Sequence, residues 1–220
     1  MSWSEHLWYI TKKISSICGV LNSMKNLAPK YVLKSIYHSL IGSHLNYGLL
    51  LWGAKRNQLA TLQKKAIRII SKSSFLAHTE PIYKRENILK INDLYKSKCL
   101  DIFFKYKNDL LPPRIKTLFQ DSTPSAHRYP TSNQSRLCVL TLAEKSAISE
   151  KTKNLLSYNL PKIINAMPTI VLDKALTHSF PSYQQYNKKF FIDNYSAEEC
   201  VDSNCYSCNP PSNIPPVVHQ

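Results

Sequence analysis

Glycine is scarce in this chain, with four residues in 220 against thirteen prolines and thirteen tyrosines. Tight hairpin turns and glycine-rich phosphate loops both draw on that residue, so the shortage disfavours a sheet-and-turn fold and P-loop chemistry. Long helices punctuated by prolines fit better. Long apolar runs are lacking too. The densest, Leu49-Leu50-Leu51-Trp52, falls far short of the about 20 residues that span a bilayer. Glu5 and His6, close behind Met1, do not suit a secretory signal. An intracellular location, nucleus or cytoplasm, is therefore expected, with no membrane partner. In a reducing compartment the six cysteines are expected as thiols.

Paired carboxylates are also missing. Two-metal nucleotidyl transfer needs acids that share cations about 3.5–4 Å apart, and the chain holds no Asp-Asp pair. Its only adjacent acids, Glu198 and Glu199, stand near the end with no apolar strand to hold them. Asp93, Asp101 and Asp109 are eight apart and fall at capping positions or helix surfaces. No Ser-His-Asp or Cys-His set is recoverable from spacing. The chain is expected to have no catalytic residues of its own and to be inactive alone.

What the chain has is positive charge, unevenly placed. Its net charge is +15, and residues 1–120 hold 20 Lys and Arg against 6 acids, whereas residues 121–220 hold 9 against 8. A basic half joined to a neutral half is the pattern of a nucleic-acid-facing region with an appendage.

Helical periodicity runs through the first half. Ser2 and Glu5 have capping-box spacing, and Trp3, Leu7, Ile10, Ile14, Ile17, Leu21 and Met24 then repeat at three and four, as one buried stripe does. Pro29 suits the first turn of a second helix with Tyr31, Val32, Ile36, Leu40 and Ile41 as apolar positions. Gly42 and Gly48 loosen the approach to Trp52-Gly53, where a helix end and loop are expected. From about Gln58 to Ser73 the spacing predicts a helix with two faces. At 100° per residue Leu59, Leu62, Ala66, Ile69 and Ile70 share an apolar arc, and Lys64, Lys65, Arg68 and Lys72 fall opposite. The basic face has no acid within reach in its own helix, so these four are the candidate nucleic-acid-binding residues. A solvated basic face is the plainer alternative.

Thr79 is expected to cap a short helix before Glu80-Pro81, and Asn92 or Asp93 to cap the next, which is apolar nearly all round and ends at Asp109 and Pro112-Pro113. Residues 119–136 shift to Ser, Thr, Pro, Asn and Gln and are expected as a linker. A strand is possible over Arg136 to Leu142, then weaker helices near Glu144–Ser157 and Leu172–His178 and a better one from Pro181 to Tyr195. The expected organisation is a basic helical domain over 1–118, the linker 119–136, a small helical module over 137–196 and a Cys/Pro-rich tail over 197–220.

In that tail Cys200, Cys205 and Cys208 are candidate metal ligands, with His219 as a fourth, at a spacing that can hold zinc or an iron–sulfur cluster. Loose thiols are the alternative and the expected outcome. Cys18, Cys99 and Cys138 sit beside apolar neighbours and are expected in the core. His44, next to Tyr47, could touch a phosphate or simply close a helix end. Trp3, Trp8 and Trp52 are candidates for stacking on bases, with Trp3 on the apolar stripe and Trp8 about 100° from Leu7 and exposed.

Several of these segments together resemble the region just downstream of the polymerase palm in reverse transcriptases of non-LTR, jockey-like retrotransposons. The matching pieces begin at Ser2-Trp3 with His6, Ile10 and Lys13. They continue through Pro29, Tyr37, Ser39-Leu40-Ile41 and His44-Leu45-Asn46-Tyr47. Trp52-Gly53, Gln63-Lys64-Lys65-Ala66-Ile67-Arg68-Ile69-Ile70, His78-Thr79-Glu80-Pro81 and Asn87-Ile88-Leu89 follow. Tyr158-Asn159-Leu160-Pro161 and Tyr186-Asn187-Lys188-Lys189-Phe190 look like degraded versions of the family's tail.

The resemblance implies a mainly α, thumb-like domain that grips template–primer duplex without reading sequence, followed by an α-rich module. It places the catalytic aspartates, and the Mg²⁺ they bind, in a palm this chain does not contain. No cofactor is therefore expected here. It further implies that the chain is the C-terminal remnant of a longer element. A helical module that meets an acidic protein, or a non-functional remnant, are the competing expectations.

Overall fold

The computed structural model describes residues 3–116 and 156–196, and among them every regular element is helical. The α-helices are α1 (Ser4–Met24), α2 (Lys30–Ile36), α3 (Ser43–Asn46), α4 (Leu49–Trp52), α5 (Asn57–Ile70), α6 (Thr79–Glu86), α7 (Ile91–Lys107) and α8 (Pro113–Lys116), then α9 (Leu156–Asn165), α10 (Thr169–Thr177) and α11 (Phe180–Asp193). A π-helical turn, Tyr37–Gly42, joins α2 to α3, and a 3-10 turn, Gly53–Lys55, follows α4. The expected linker over 119–136, the possible strand over Arg136 to Leu142, and the tail over 197–220 lie outside the described residues.

The described residues form two compact units interleaved along the chain. The first takes residues 3–46, 57–91 and 190–196, and the second takes 47–56, 92–116 and 156–189.

In the first unit α5 is the hub, packing against α1, α2, the π turn and α6. Leu7, Ile10, Ile14, Cys18 and Leu21 line the buried side of α1, so the three-and-four repeat holds at its centre, with Cys18 buried where Ile17 was expected and Trp3, Ile17 and Met24 only half-buried. Cys18 Sγ lies 3.9 Å from the Leu62 carbonyl and Lys25 Nζ 3.3 Å from the Ser73 carbonyl. Contacts that advance together along both segments mean α1 and α5 run in the same direction. Ser2 of the expected capping box lies outside the described residues. Trp3 is its N-cap, without a side-chain cap bond.

The apolar positions expected of the second helix need correction. Tyr31 and Leu40 are 73% and 45% exposed, and the buried side chains are Leu33, Tyr37, Ile41 and Leu45. These repeat every four residues. An α-helix would rotate such a row off the core, but the wider π turn at its centre takes in more residues per turn and keeps it aligned.

Three helices stop by one device. Lys72, Asn87 and Asp109 adopt left-handed φ of 56°, 55° and 60°. The amide after each reaches back five residues, from Ser73 to Arg68, Ile88 to Tyr83 and Leu110 to Lys105, at 3.0, 3.1 and 2.8 Å. This closure ordinarily takes glycine at the left-handed position. A chain with so few glycines does it with Lys, Asn and Asp.

The start signals expected after α5 also shift. Thr79 is the first residue of α6 rather than its cap, which is His78. Asn92 and Asp93 lie inside α7, whose first amide, that of Ile91, donates instead to Gln63 Oε1 at 2.8 Å.

In the second unit α7 buries Tyr95, Cys99, Leu100, Phe103 and Phe104, as an all-round apolar helix should. The Phe104 ring centroid lies 5.2 Å from those of Phe180 and Tyr183, and Asn108 donates to the Ala175 carbonyl at 3.0 Å. Asp101, expected at a helix surface, is buried, and accepts from Gln184 at 3.0 Å and Lys98 at 3.4 Å. Burial raises its pKa against those donors. Helix α9, within the segment expected as a small helical module, runs through Pro161 and buries Leu160 and Ile164.

Candidate nucleic-acid interface

The two-faced helix forms as α5, over Asn57–Ile70, and buries Leu59, Gln63, Ala66, Ile67, Ile69 and Ile70. Lys64 and Lys65 are exposed on the opposite side, and no acid pairs with either among the described residues. The other two candidates differ. Arg68 is half-buried, and its Nε donates to the Ala77 carbonyl at 2.8 Å, tying the following loop to the helix. Loss of water around that guanidinium lowers its pKa. Lys72 is exposed but lies two residues beyond the helix end, in the left-handed closure. The helical face expected to carry four cations therefore carries Lys64 and Lys65, with Arg68 partly engaged in structure.

Most other cations of this unit are occupied. Glu86 is 3% exposed, with Lys30 Nζ at 2.6 Å, Arg85 Nε at 3.2 Å and Lys34 Nζ at 3.9 Å. Burial acts to raise its pKa, but the hydrogen bonds from Lys30 and Arg85 outweigh it and hold the carboxyl below its ordinary range. Lys90 pairs with Glu80 and lies over the Tyr195 ring at 4.2 Å, while Lys84 donates to the Tyr195 carbonyl at 2.9 Å. Hydrogen bonding from Lys90 lowers the Glu80 pKa. Few acids are available, and where they occur they gather the nearby lysines. Lys12, Lys13, Lys64, Lys65 and Lys72 are left without an acid or carbonyl partner among the described residues.

Lys12 and Lys13 were not among the expected binding residues. They project from α1, which packs directly on α5. Each sits one helical turn beyond an exposed aromatic ring, with Lys12 Nζ 5.2 Å from the Trp8 ring centroid and Lys13 Nζ 5.5 Å from that of Tyr9. The signal in the sequence is the two aromatic–lysine pairs at i, i+4 on the side of α1 away from its apolar stripe.

Of the three tryptophans, Trp8 is exposed as expected, at 66%. Trp3 is half-buried rather than core. Trp52 is 1% exposed, and its indole N–H donates to the Tyr47 carbonyl at 2.7 Å, so it is not available to stack on a base. The Trp52-Gly53 pair is architectural in the second unit. A Cβ on Gly53 would stand 2.4 Å from Cδ2 of Tyr95. Arg56 covers the same ring at 4.6 Å and donates to the Gly53 carbonyl and to Asn92 Oδ1, both at 2.7 Å. Gly48, at φ +61°, takes the left-handed turn into α4.

Cys18 and Cys99 are buried thiols, as expected, and burial pushes Cys99 up to about 12. Cys138 and the candidate ligands Cys200, Cys205 and Cys208 lie outside the described residues. Among the described residues no three His, Cys, Asp or Glu side chains come together as a metal site, and no helix is long and apolar enough to cross a membrane.

The described chain is a mainly α protein that carries unpaired lysines and exposed aromatic rings on two packed helices. Comparison with protein-family models, curated proteins and solved structures finds no match in any of the three.

Proposed function

We propose that this chain binds nucleic acid without sequence preference, gripping an RNA–DNA or DNA duplex through its phosphates and performing no polymerase chemistry by itself. The observation that carries this reading is the pair Lys64 and Lys65, exposed and unpaired on a helix whose opposite face is core. Rigid elements hold cations best when their other side is packed, and phosphate contacts of this kind position a protein without reading a base. The surplus of charge in residues 1–120 supports it.

The resemblance to the region downstream of the palm in non-LTR retrotransposon reverse transcriptases points the same way, and we propose that as its origin. On that reading the mainly α first region is thumb-like, and Mg²⁺ belongs to the palm of the parent polymerase. Fluorescence anisotropy with labelled duplexes of unrelated sequence tests the binding. Equal affinity for all of them, falling steeply with salt, is expected. No measurable binding at low salt would sink the proposal and move a helical protein-interaction module ahead.

A further inference from the structure

We infer that the outer face of α1 is a stacking site for the bases of single-stranded nucleic acid, centred on Trp8. This rests on the nucleic-acid reading above but concerns a different helix and a different part of the ligand.

Three independent features meet there. Trp8 is 66% and Tyr9 50% exposed, although the opposite side of the same helix is closed core. Lys12 and Lys13 stand by the two rings and have no acid partner among the described residues. A groove of about 370 Å³ opens along this face, and Trp8, Thr11, Lys12, Ser15 and Ser16 line it. Thr11 Oγ1 is sheltered from solvent and makes no hydrogen bond within the described residues.

These groups match the parts of one nucleotide. The indole face suits a base, the Lys12 ammonium a phosphate, and the hydroxyls of Thr11, Ser15 and Ser16 the polar edge of a base or sugar. The groove lies in the size range of small-molecule sites. Charge and shape together select the occupant. An acidic peptide would use the lysines but leave the rings idle. A duplex hides the faces of its bases, whereas a single strand presents both base faces and phosphates.

The test uses the full chain with a short oligo(dT), an RNA–DNA duplex and heparin, a polyanion without bases. Trp8→Ala should weaken oligo(dT) binding on the order of ten-fold, leaving duplex and heparin affinity within about two-fold, and Trp8→Phe should restore most of the loss. Oligo(dT) should also quench the tryptophan emission of the wild type, and Trp8→Phe should remove most of that quenching while still binding, since Trp52 is enclosed and Trp3 half-buried. Unchanged oligo(dT) affinity in Trp8→Ala overturns the inference, as does an equal loss for heparin. Duplex binding without oligo(dT) binding removes this site alone, whereas binding of neither removes the nucleic-acid reading as well.

Discussion

The Gln63 amide donates to the Tyr37 hydroxyl at 2.9 Å, inside a helix face that otherwise contributes only hydrocarbon to the core. The same side chain donates to the Leu89 carbonyl at 2.9 Å and accepts from the Ile91 amide at 2.8 Å. One buried residue of α5 therefore fixes the π turn and caps the start of α7. Burial pushes the Tyr37 hydroxyl up to about 12, so it stays protonated at any physiological pH and is a constant partner.

Gln63→Met should reveal how much depends on that junction. Methionine fills a similar volume but leaves the Tyr37 hydroxyl, the Leu89 carbonyl and the Ile91 amide without their partner. Each buried orphan costs about 1–3 kcal/mol, and Leu89 is only part-buried, so a total near 3 kcal/mol is expected. Urea denaturation followed by circular dichroism measures it. A variant within about 1 kcal/mol of the wild type would mean water can replace the amide there.

Part of this was legible in the chain and part was not, for a physical reason. The stripe of α1, the two faces of α5 and the all-round apolar character of α7 follow from spacing, because burial of one face is a local, periodic property. Gln63 obeys the same period as Leu59 and Ala66, yet its role depends on Tyr37, Leu89 and Ile91, which periodicity cannot bring together. Arg68 shows the same limit of periodicity. Its angle places it with Lys64, but the Ala77 carbonyl, nine residues on, claims its guanidinium. The π turn was equally invisible, since it depends on which residues the core selects.

Glu86 gives a pH signature. Its folded pKa lies below the unfolded value, so its contribution is fully present above that unfolded value, near 4.3 for glutamate, and is lost as pH falls through the folded one. Glu80, also lowered, acts in the same direction. Glu86→Gln should destabilise the protein by about 2 kcal/mol at pH 7, within the range for losing hydrogen bonds to a buried charge, and by clearly less at pH 3, because the contribution fades as pH falls below the ordinary carboxylate range. Parallel denaturation curves at the two pH values decide it. An equal loss at both would assign the effect to packing, not charge.

Lys72 predicts a gain. A left-handed L-residue costs roughly 1–2 kcal/mol, partly offset by the entropy glycine loses on folding. Lys72→Gly should therefore raise stability by about 0.5–1 kcal/mol, and Asp109→Gly should gain less, because aspartate tolerates the conformation and here also pairs with Lys116. Asn87→Gly should gain less, because asparagine tolerates the conformation. Thermal melts of the three variants rank them. A loss of stability in Lys72→Gly would show that its side chain makes a contact worth more than the strain.

The division of labour among the four basic candidates can be measured through salt. Each phosphate neutralised on duplex DNA adds roughly 0.9 to the slope of log affinity against log salt. Lys64 and Lys65 are exposed, unpaired and opposite the core, so the double variant Lys64→Gln, Lys65→Gln should keep its stability. It should weaken duplex binding at every sequence and flatten the slope by nearly two units. Arg68→Gln should behave differently. It removes the tie to Ala77, so a loss of stability of about 1 kcal/mol should accompany any change in affinity. Lys72→Gln, beyond the helix end, should change the slope by at most about one unit. If the double variant instead binds with unaltered affinity and slope, the exposed lysines of α5 are merely solvated. Any duplex affinity would then rest on the remaining exposed cations, Lys12, Lys13 and Lys72, and Lys12→Gln, Lys13→Gln should flatten the slope if α1 supplies it.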